Sequence, residues 1–109
     1  QMYAKGRLVL AVVQHVMKAK KPKNFQELEK FFPKVWQSSG KPTKSKQAGV
    51  IFLKSFADTA NLRFFSRPED LIKLPDNSFV VVNNQWGENI DFFIAKAIET
   101  FGVEIKREN

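Results

Sequence analysis

The chain has 109 residues, no cysteine and a hydrophobic fraction of 43%, values that fit one ordinary globular domain. The lack of cysteine excludes disulfides, cysteine-based zinc sites and thiol catalysis, and no apolar run approaches the roughly 20 residues of a membrane span. The formal net charge is +7: residues 1–60 contain 12 Lys and Arg against 3 Asp and Glu, whereas residues 61–109 contain 6 against 8. This imbalance indicates an anionic partner for the first half of the chain, and we expect no membrane partner.

Two helices are predicted at the start of the chain. Apolar residues recur at helical spacing over residues 3–19, on a face wide enough to predict a central, mostly buried helix that Pro22 ends. A second helix starts at Asn24, a good N-cap, and Glu27 stands where it completes a capping box. Pro33 ends this helix or begins a new turn.

A polar loop and a set of short strands follow. Residues 37–47 contain no apolar side chain to anchor them, so we expect this loop to be mobile. Strands are predicted at 49–53, 62–65 and 79–82; the last is a run of β-formers without polar alternation, which is typical of a central strand. Between the second and third strands, a capping box predicts a short helix over residues 66–73.

The remaining elements complete the predicted fold. After a turn at 75–78 and the third strand, Asn89 caps a last helix that ends at Gly102, and alternation over Val103–Lys106 predicts a final half-exposed strand. We therefore predict an α+β fold in which two N-terminal helices precede a small sheet of about four short strands, with a C-terminal β-α-β unit.

The two leading helices followed by strands are also compatible with a winged-helix-like arrangement. We expect residues 1–109 to form a single basic α+β domain. Because the chain begins with Gln1 and not with Met, we expect it to be either a processed product or one module of a larger protein.

Nucleic-acid binding is the function that the charge pattern favours. Lysine suits phosphate as a point charge on a long stem, and hydroxyls also bond phosphate oxygens. The predicted nucleic-acid-binding residues are the basic and hydroxyl-bearing side chains of two segments, namely Lys18, Lys20, Lys21, Lys23, Lys41, Lys44, Lys46, Ser39 and Thr43. The competing explanation is a solubilising surface in which the first lysine run complements a helix C-terminus.

In this hypothesis the helix that starts at Asn24 approaches a groove, and DNA is favoured over RNA. The proposed domain has no catalytic residue, no bound metal and no cofactor. The expected location is intracellular, in the cytoplasm or with the nucleoid or nucleus. A central requirement is that the lysines of the two segments converge in space into one phosphate-binding track.

A protein-interaction module is the main alternative. Phe31, Val35 and Trp36 place apolar side chains next to the polar loop, where they could form an exposed anchor for a partner. Association that persists at high salt, together with weak affinity for DNA, would favour this alternative over nucleic-acid binding.

A more distant alternative is a magnesium-dependent nuclease. Pro75-Asp76 and the later Glu104-Ile105-Lys106 match the Pro-Asp…Glu-x-Lys pattern of many restriction-type nucleases, in which two carboxylates hold Mg²⁺ and a lysine positions the attacking water. The match departs from the usual context, because Asp76 lies in a turn before its strand and a helix separates the two halves of the pattern.

Two further features favour structural explanations. Trp86 lies in a connection rich in Asn and Gln that could line a small anion or base pocket, but we expect Trp86 to fold onto the core and Asn89 only to cap its helix. His15, the single histidine, lies among apolar residues, and we expect it to be buried or half-buried and not to hold a metal.

Overall fold

The computed structural model describes residues 5–44, 48–57 and 63–105, and its fold is α+β, as predicted. The helices are α1 (Lys5–Lys20), α2 (Phe25–Phe31), α3 (Lys54–Ala57) and α4 (Asn89–Phe101), with short 3₁₀ turns at Lys34–Trp36 and Pro68–Asp70. The strands are β1 (Ile51–Leu53), β2 (Phe64–Phe65), β3 (Ile72–Lys73) and β4 (Phe79–Asn83). None of the described helices is long and apolar enough to cross a membrane.

Strand β4 is the centre of the sheet, which confirms the prediction of a central strand at 79–82. Strands β1, β2 and β3 each pair with it in the antiparallel direction. Because β1 covers one edge of β4, β2 and β3 lie one after the other along the opposite edge. Phe65 pairs with Val82 and Ile72 with Val80, so residues 66–71 span only one position of β4 and form a bulge that projects from this edge.

Hydrophobic side chains cover both faces of β4. Val80 and Val82 belong to the main core, which also contains the buried side of α1 and most of the buried side of α4. Val81 faces the other way and packs with Phe64 in a smaller cluster. Each fully buried valine contributes roughly 1.5–3 kcal/mol relative to an exposed one. Burial on two faces is why this strand shows no polar alternation.

Helix α1 lies along the sheet in the direction opposite to β4. Near its start, a Cβ placed on Gly6 would lie 3.5 Å from the Cα of Asn84, which follows the end of β4. At its end, Met17 lies beside Leu74 and Pro75, which precede the start of β4. We call the first region, around Asn83–Asn89, the Trp86 end of the molecule, and the second, around Leu74–Ser78, the turn end.

The N-terminus of α2 confirms the predicted cap. Asn24 Oδ1 accepts a hydrogen bond of 2.9 Å from the backbone N–H of Glu27. Glu27 Oε1 in turn accepts one of 2.9 Å from the backbone N–H of Lys23, one residue earlier than in the standard capping box. These two bonds fix the chain between α1 and α2, where two of the predicted lysines lie.

Tertiary contacts overruled the local signals at 66–73 and 103–105. The predicted helix at 66–73 is wrong: only Pro68–Asp70 forms a 3₁₀ turn, without a side-chain cap, and Ile72–Lys73 pairs with β4. No strand forms over 103–105, where Val103 and Ile105 pack against the core instead; Lys106 lies outside the described residues. The β-α-β unit therefore ends at α4 within the described chain. The winged-helix-like arrangement is not confirmed.

Candidate nucleic-acid interface

Four of the predicted lysines surround the end of α1. Lys18 and Lys20 stand in the last turn of the helix, Lys21 follows it, and Lys23 precedes the cap of α2. All four side chains are exposed. Lys21 adopts a left-handed conformation with φ of 51°, and its N–H donates to the carbonyl of Met17 at 3.1 Å, which ends the helix. We call this set the α1-end lysines.

A fifth lysine, from a different element, lies next to them. Lys73 of β3 and Lys21 both line an open groove of about 460 Å³ at the turn end, whose other lining residues are Met17, Pro22, Leu74, Pro75 and Asn77. The sequence indicated no role for Lys73, because it was predicted to end a short helix. Its pairing with Phe79 in the sheet is what brings it to the groove. No local signal in the sequence could have found this neighbour.

The α1-end lysines are not neutralised by any described carboxylate. None of them forms an ion pair in the described part of the chain, whereas Arg7 pairs with Asp70 and Lys96 with Glu99. The local potential at the turn end is therefore set mainly by ammonium groups that point into solvent. Such groups are available to phosphate oxygens.

Asp76 lies in the turn that borders the groove, and its carboxylate is hydrogen-bonded within that turn. Its Oδ1 accepts hydrogen bonds from the hydroxyl of Ser78 at 2.6 Å and from the backbone N–H of Ser78 at 3.0 Å. These bonds, first the one from the hydroxyl, lower the pKa of Asp76 below its ordinary value of 3.8. Asp76 therefore contributes a fixed negative charge at the rim, smaller than the positive charge around it.

The lysines of the polar loop lie elsewhere. Lys41 and Lys44 are exposed, and Lys46 lies outside the described residues. The first part of the loop is anchored at the Trp86 end, where the side-chain amide of Gln37 donates to the carbonyl of Gln85 at 3.0 Å. A Cβ placed on Gly40 would lie 3.0 Å from the ring of Phe92 in α4. The expectation that nothing anchors the loop is wrong for residues 37–40, because polar contacts and a close glycine replace an apolar anchor.

The structure separates Lys41 from the α1-end lysines. Lys41 follows directly after the anchor at the Trp86 end, whereas Lys21 lies at the turn end, and α1 runs between the two. The 16 residues of α1 are about 24 Å long at 1.5 Å per residue. The single phosphate-binding track expected from the sequence is therefore not found: the α1-end lysines and Lys73 form one local cluster, and Lys41 belongs to a second basic region.

The two hydroxyl residues of the loop differ in their availability. Ser39 Oγ donates to Asn89 Oδ1 at 2.7 Å, so its proton is already used and cannot be given to a phosphate oxygen at the same time. Thr43 is half-buried. The Ser39 bond also overturns the predicted role of Asn89: the N-cap position of α4 is Glu88, which makes no side-chain capping bond, and Asn89 holds the loop instead.

Helix α1 is more exposed on one side than the sequence predicts. Val9, Val13 and Val16 are at most 1% exposed, but Gln14 and His15 on the other side are exposed. The expectation of a buried or half-buried His15 is therefore wrong. The apolar residues of α1 point to one side at helical spacing, and position 15 falls outside that side.

Most of the proposed protein-interaction anchor is packed into the core and is not exposed to a partner. Trp36 is only 7% exposed and packs against Phe32, Phe93 and Phe101 with ring-centroid distances of 5.9–6.0 Å. Phe31 is half-buried against Phe101, and only Val35, at 38%, remains exposed. The expectation of an exposed aromatic anchor is wrong for Trp36, since the rings close the core around the end of α4.

The connection between β4 and α4 is structural, as favoured by the sequence. Trp86 is 8% exposed, stacks edge-on against Phe93 at 5.3 Å, and donates its indole N–H to the carbonyl of Asn83 at 2.6 Å. Asn83 organises this region, and the sequence does not distinguish it from the neighbouring amide residues. Its buried amide donates to the carbonyl of Gly49 at 2.8 Å and accepts from the N–H of Gln85 at 2.7 Å.

The nuclease pattern gains no support from the residues that are described. The carboxylate of Asp76 is engaged by Ser78, Glu104 is exposed, and Lys106 lies outside the described residues. In residues 5–44, 48–57 and 63–105, no group of three or more His, Asp or Glu side chains could hold a metal ion.

Comparisons with models of protein families, with curated proteins and with solved structures each find no match for this chain. A fold alone does not specify a function, which depends on the residues of the site and their chemistry.

Proposed function

We propose that the protein binds nucleic acid, DNA in preference to RNA, by gripping backbone phosphates with the α1-end lysines and Lys73, and that it performs no chemistry on the bound strand. The observation that supports this proposal is the group of exposed lysines from two elements at the turn end, none of them paired with a carboxylate in the described chain.

The chemistry of the cluster suits a polyanion better than a single small anion. Separate ammonium groups on flexible stems can each follow a different phosphate, whereas a small-anion site needs converging donors of fixed direction. Each phosphate contact releases condensed counterions, so the affinity for B-form DNA falls with salt by a slope of about 0.9 per contact. This sequence-independent term would supply most of the binding energy.

Stabilisation of the C-terminal end of α1 explains the presence of only some lysines of the cluster. Lys18 and Lys20 lie where the negative end of the α1 dipole stabilises cations, so their presence is also compatible with a purely structural role. Lys73 belongs to a strand and gains nothing from that dipole. Its position in the same groove as Lys21 therefore favours a role for the cluster beyond the ending of one helix.

Salt titration of DNA binding tests the proposal. We expect a labelled 20-base-pair DNA duplex to bind with a steep dependence of log affinity on log salt, and the variant K20Q/K23Q to lower that slope by about 1.8. The matched control K54Q/K96Q removes the same charge at positions outside the cluster and should keep the slope close to that of the parent. Equal slopes for the two variants would refute the assignment.

Two further measurements separate the alternatives. An RNA duplex of the same sequence should bind more weakly than the DNA duplex at equal salt. Binding partners that remain associated at high salt, with weak DNA affinity, would instead support the protein-interaction alternative.

A further inference from the structure

We infer that the exposed face of α1, and not α2, enters the major groove of B-form DNA, with Gln14 and His15 against base edges. This inference rests on the proposed function and specifies which element reads the DNA and which form of nucleic acid it accepts.

The exposed face of α1 forms a continuous stripe. Arg7, Ala11, Gln14 and Lys18 follow one another at intervals of three or four residues. His15 is four residues after Ala11 and three before Lys18, so all five lie on one side of the helix. Gln14, His15 and Lys18 are exposed, and Arg7 and Ala11 are half-buried. We call these five residues the α1 stripe.

The opposite side of α1 holds the stripe rigidly. Val9 and Val13 have no exposed surface and Val16 is 1% exposed, because they pack into the core with β4 and α4. A groove-reading helix has to keep its base-contacting side chains in register, and a helix seated across its whole length on a sheet does so.

Charge complementarity points to DNA as the occupant of this face. No Asp or Glu occurs anywhere in α1. The acids that pack near its N-terminal part lie on the 66–71 bulge, where the carboxylate of Asp70 is paired with Arg7 and Glu69 is exposed. The α1-end lysines stand at the other end. Phosphate contacts would therefore concentrate at the C-terminal end of α1, with its middle left to face bases.

Helix α2, the element expected from the sequence to approach a groove, is less suited. It has only seven residues, and its exposed side carries Glu27 and Glu29, which phosphates would repel. Glu27 is also committed to the backbone of Lys23.

The side chains of the stripe match the chemistry of a major groove. An α-helix, 10–12 Å across, fits a groove about 12 Å wide. Glutamine can bond both N6 and N7 of adenine, an imidazole can donate or accept, and the methyl of an alanine can contact that of thymine. The small Ala11 between Arg7 and Gln14 leaves room for close approach. A-form RNA has a major groove too deep and narrow for this mode, which accounts for the expected preference for DNA.

Selection of a preferred sequence tests the inference. A library of random 20-base-pair DNA duplexes is passed through rounds of binding to the parent chain, and the enriched duplex is compared with a scrambled one. We expect Q14A/H15A to reduce the preference for the enriched sequence by about tenfold, with little change in affinity for the scrambled duplex or in the salt slope. Alanine is the best helix former, and both side chains are exposed, so α1 should stay folded; thermal unfolding checks this.

The matched control is Q26A, which removes an exposed glutamine from α2 and should leave the preference intact. The inference is overturned if no sequence is enriched although binding remains salt-dependent, if Q26A and Q14A/H15A act equally, or if single strands bind more tightly than duplex. If the parent chain shows no salt-dependent binding of DNA, the proposed function itself is refuted.

Discussion

Arg7 Nη1 lies 2.7 Å from Asp70 Oδ1 and so ties the first turns of α1 to the bulge between β2 and β3. Asp70 is only 4% exposed, and its second oxygen, Oδ2, has no hydrogen-bond partner among the residues that the structure describes. The Arg7 guanidinium also lies over the ring of Phe65, with Cζ 4.8 Å from the ring centroid. The pair therefore fixes the N-terminal end of the α1 stripe against the edge of the sheet.

Loss of Arg7 should destabilise the fold more than loss of the Asp70 charge. R7M leaves a buried carboxylate without its cation, and because Arg7 is itself partly exposed we expect a cost of about 2 kcal/mol in the free energy of unfolding. D70N removes the charge and should cost less. The measurement is urea unfolding of R7M, D70N and R7M/D70N. A double variant as unstable as the sum of the singles would show that the two side chains are not coupled.

The buried amide of Asn83 should be essential to the Trp86 end. N83A would leave the carbonyl of Gly49 and the N–H of Gln85 without these buried partners, with an expected loss of about 2–3 kcal/mol in the free energy of unfolding. The measurement is thermal or urea unfolding followed by Trp fluorescence. N84A, which changes the half-buried neighbour of Asn83, is the comparison. A loss no larger than that of N84A would contradict the role of Asn83.

The loop lysines should act as a second, separable phosphate contact. If Lys41 and Lys44 contact DNA as predicted, K41Q/K44Q lowers the slope of log affinity against log salt by up to about 1.8 and adds to the effect of K20Q/K23Q. Additivity is expected because the two regions are separated along α1. An unchanged slope for K41Q/K44Q would restrict the DNA contacts to the turn end and remove the loop from the interface.

The turn at Asp76 should contribute stability that depends on pH. Because hydrogen bonds from Ser78 lower the pKa of Asp76 in the folded state below 3.8, its contribution is present above that value and is lost as the pH falls through the lowered pKa. S78A removes the hydrogen bond from the hydroxyl, which has the larger effect on the pKa of Asp76, so that pKa should rise towards 3.8. Carboxyl NMR titration of the parent and S78A measures this. The exposed Ser66, changed to alanine, is the control, and the same Asp76 titration in all three chains would contradict the prediction.

Several features of the fold could be predicted from local signals. The asparagine cap of α2, the left-handed Gly102 after α4 and the valine run of β4 each act within a few residues, and the structure confirms all three. The excess of positive charge in the first half of the chain is also a property of composition. These features need no knowledge of distant contacts, because capping, left-handed backbone and strand propensity depend on near neighbours.

The candidate site depended on the tertiary structure. Lys73 came to the groove because Ile72 and Lys73 pair with β4, against the local signal for a helix. His15 reached the surface because the buried side of α1 is set by the sheet beneath it. Arg7 and Asp70 are 63 residues apart in the chain. The sequence by itself determined the caps, the central strand and the sign of the charge; the packing of distant elements decided which charges meet, because contacts between residues far apart leave no local pattern to read.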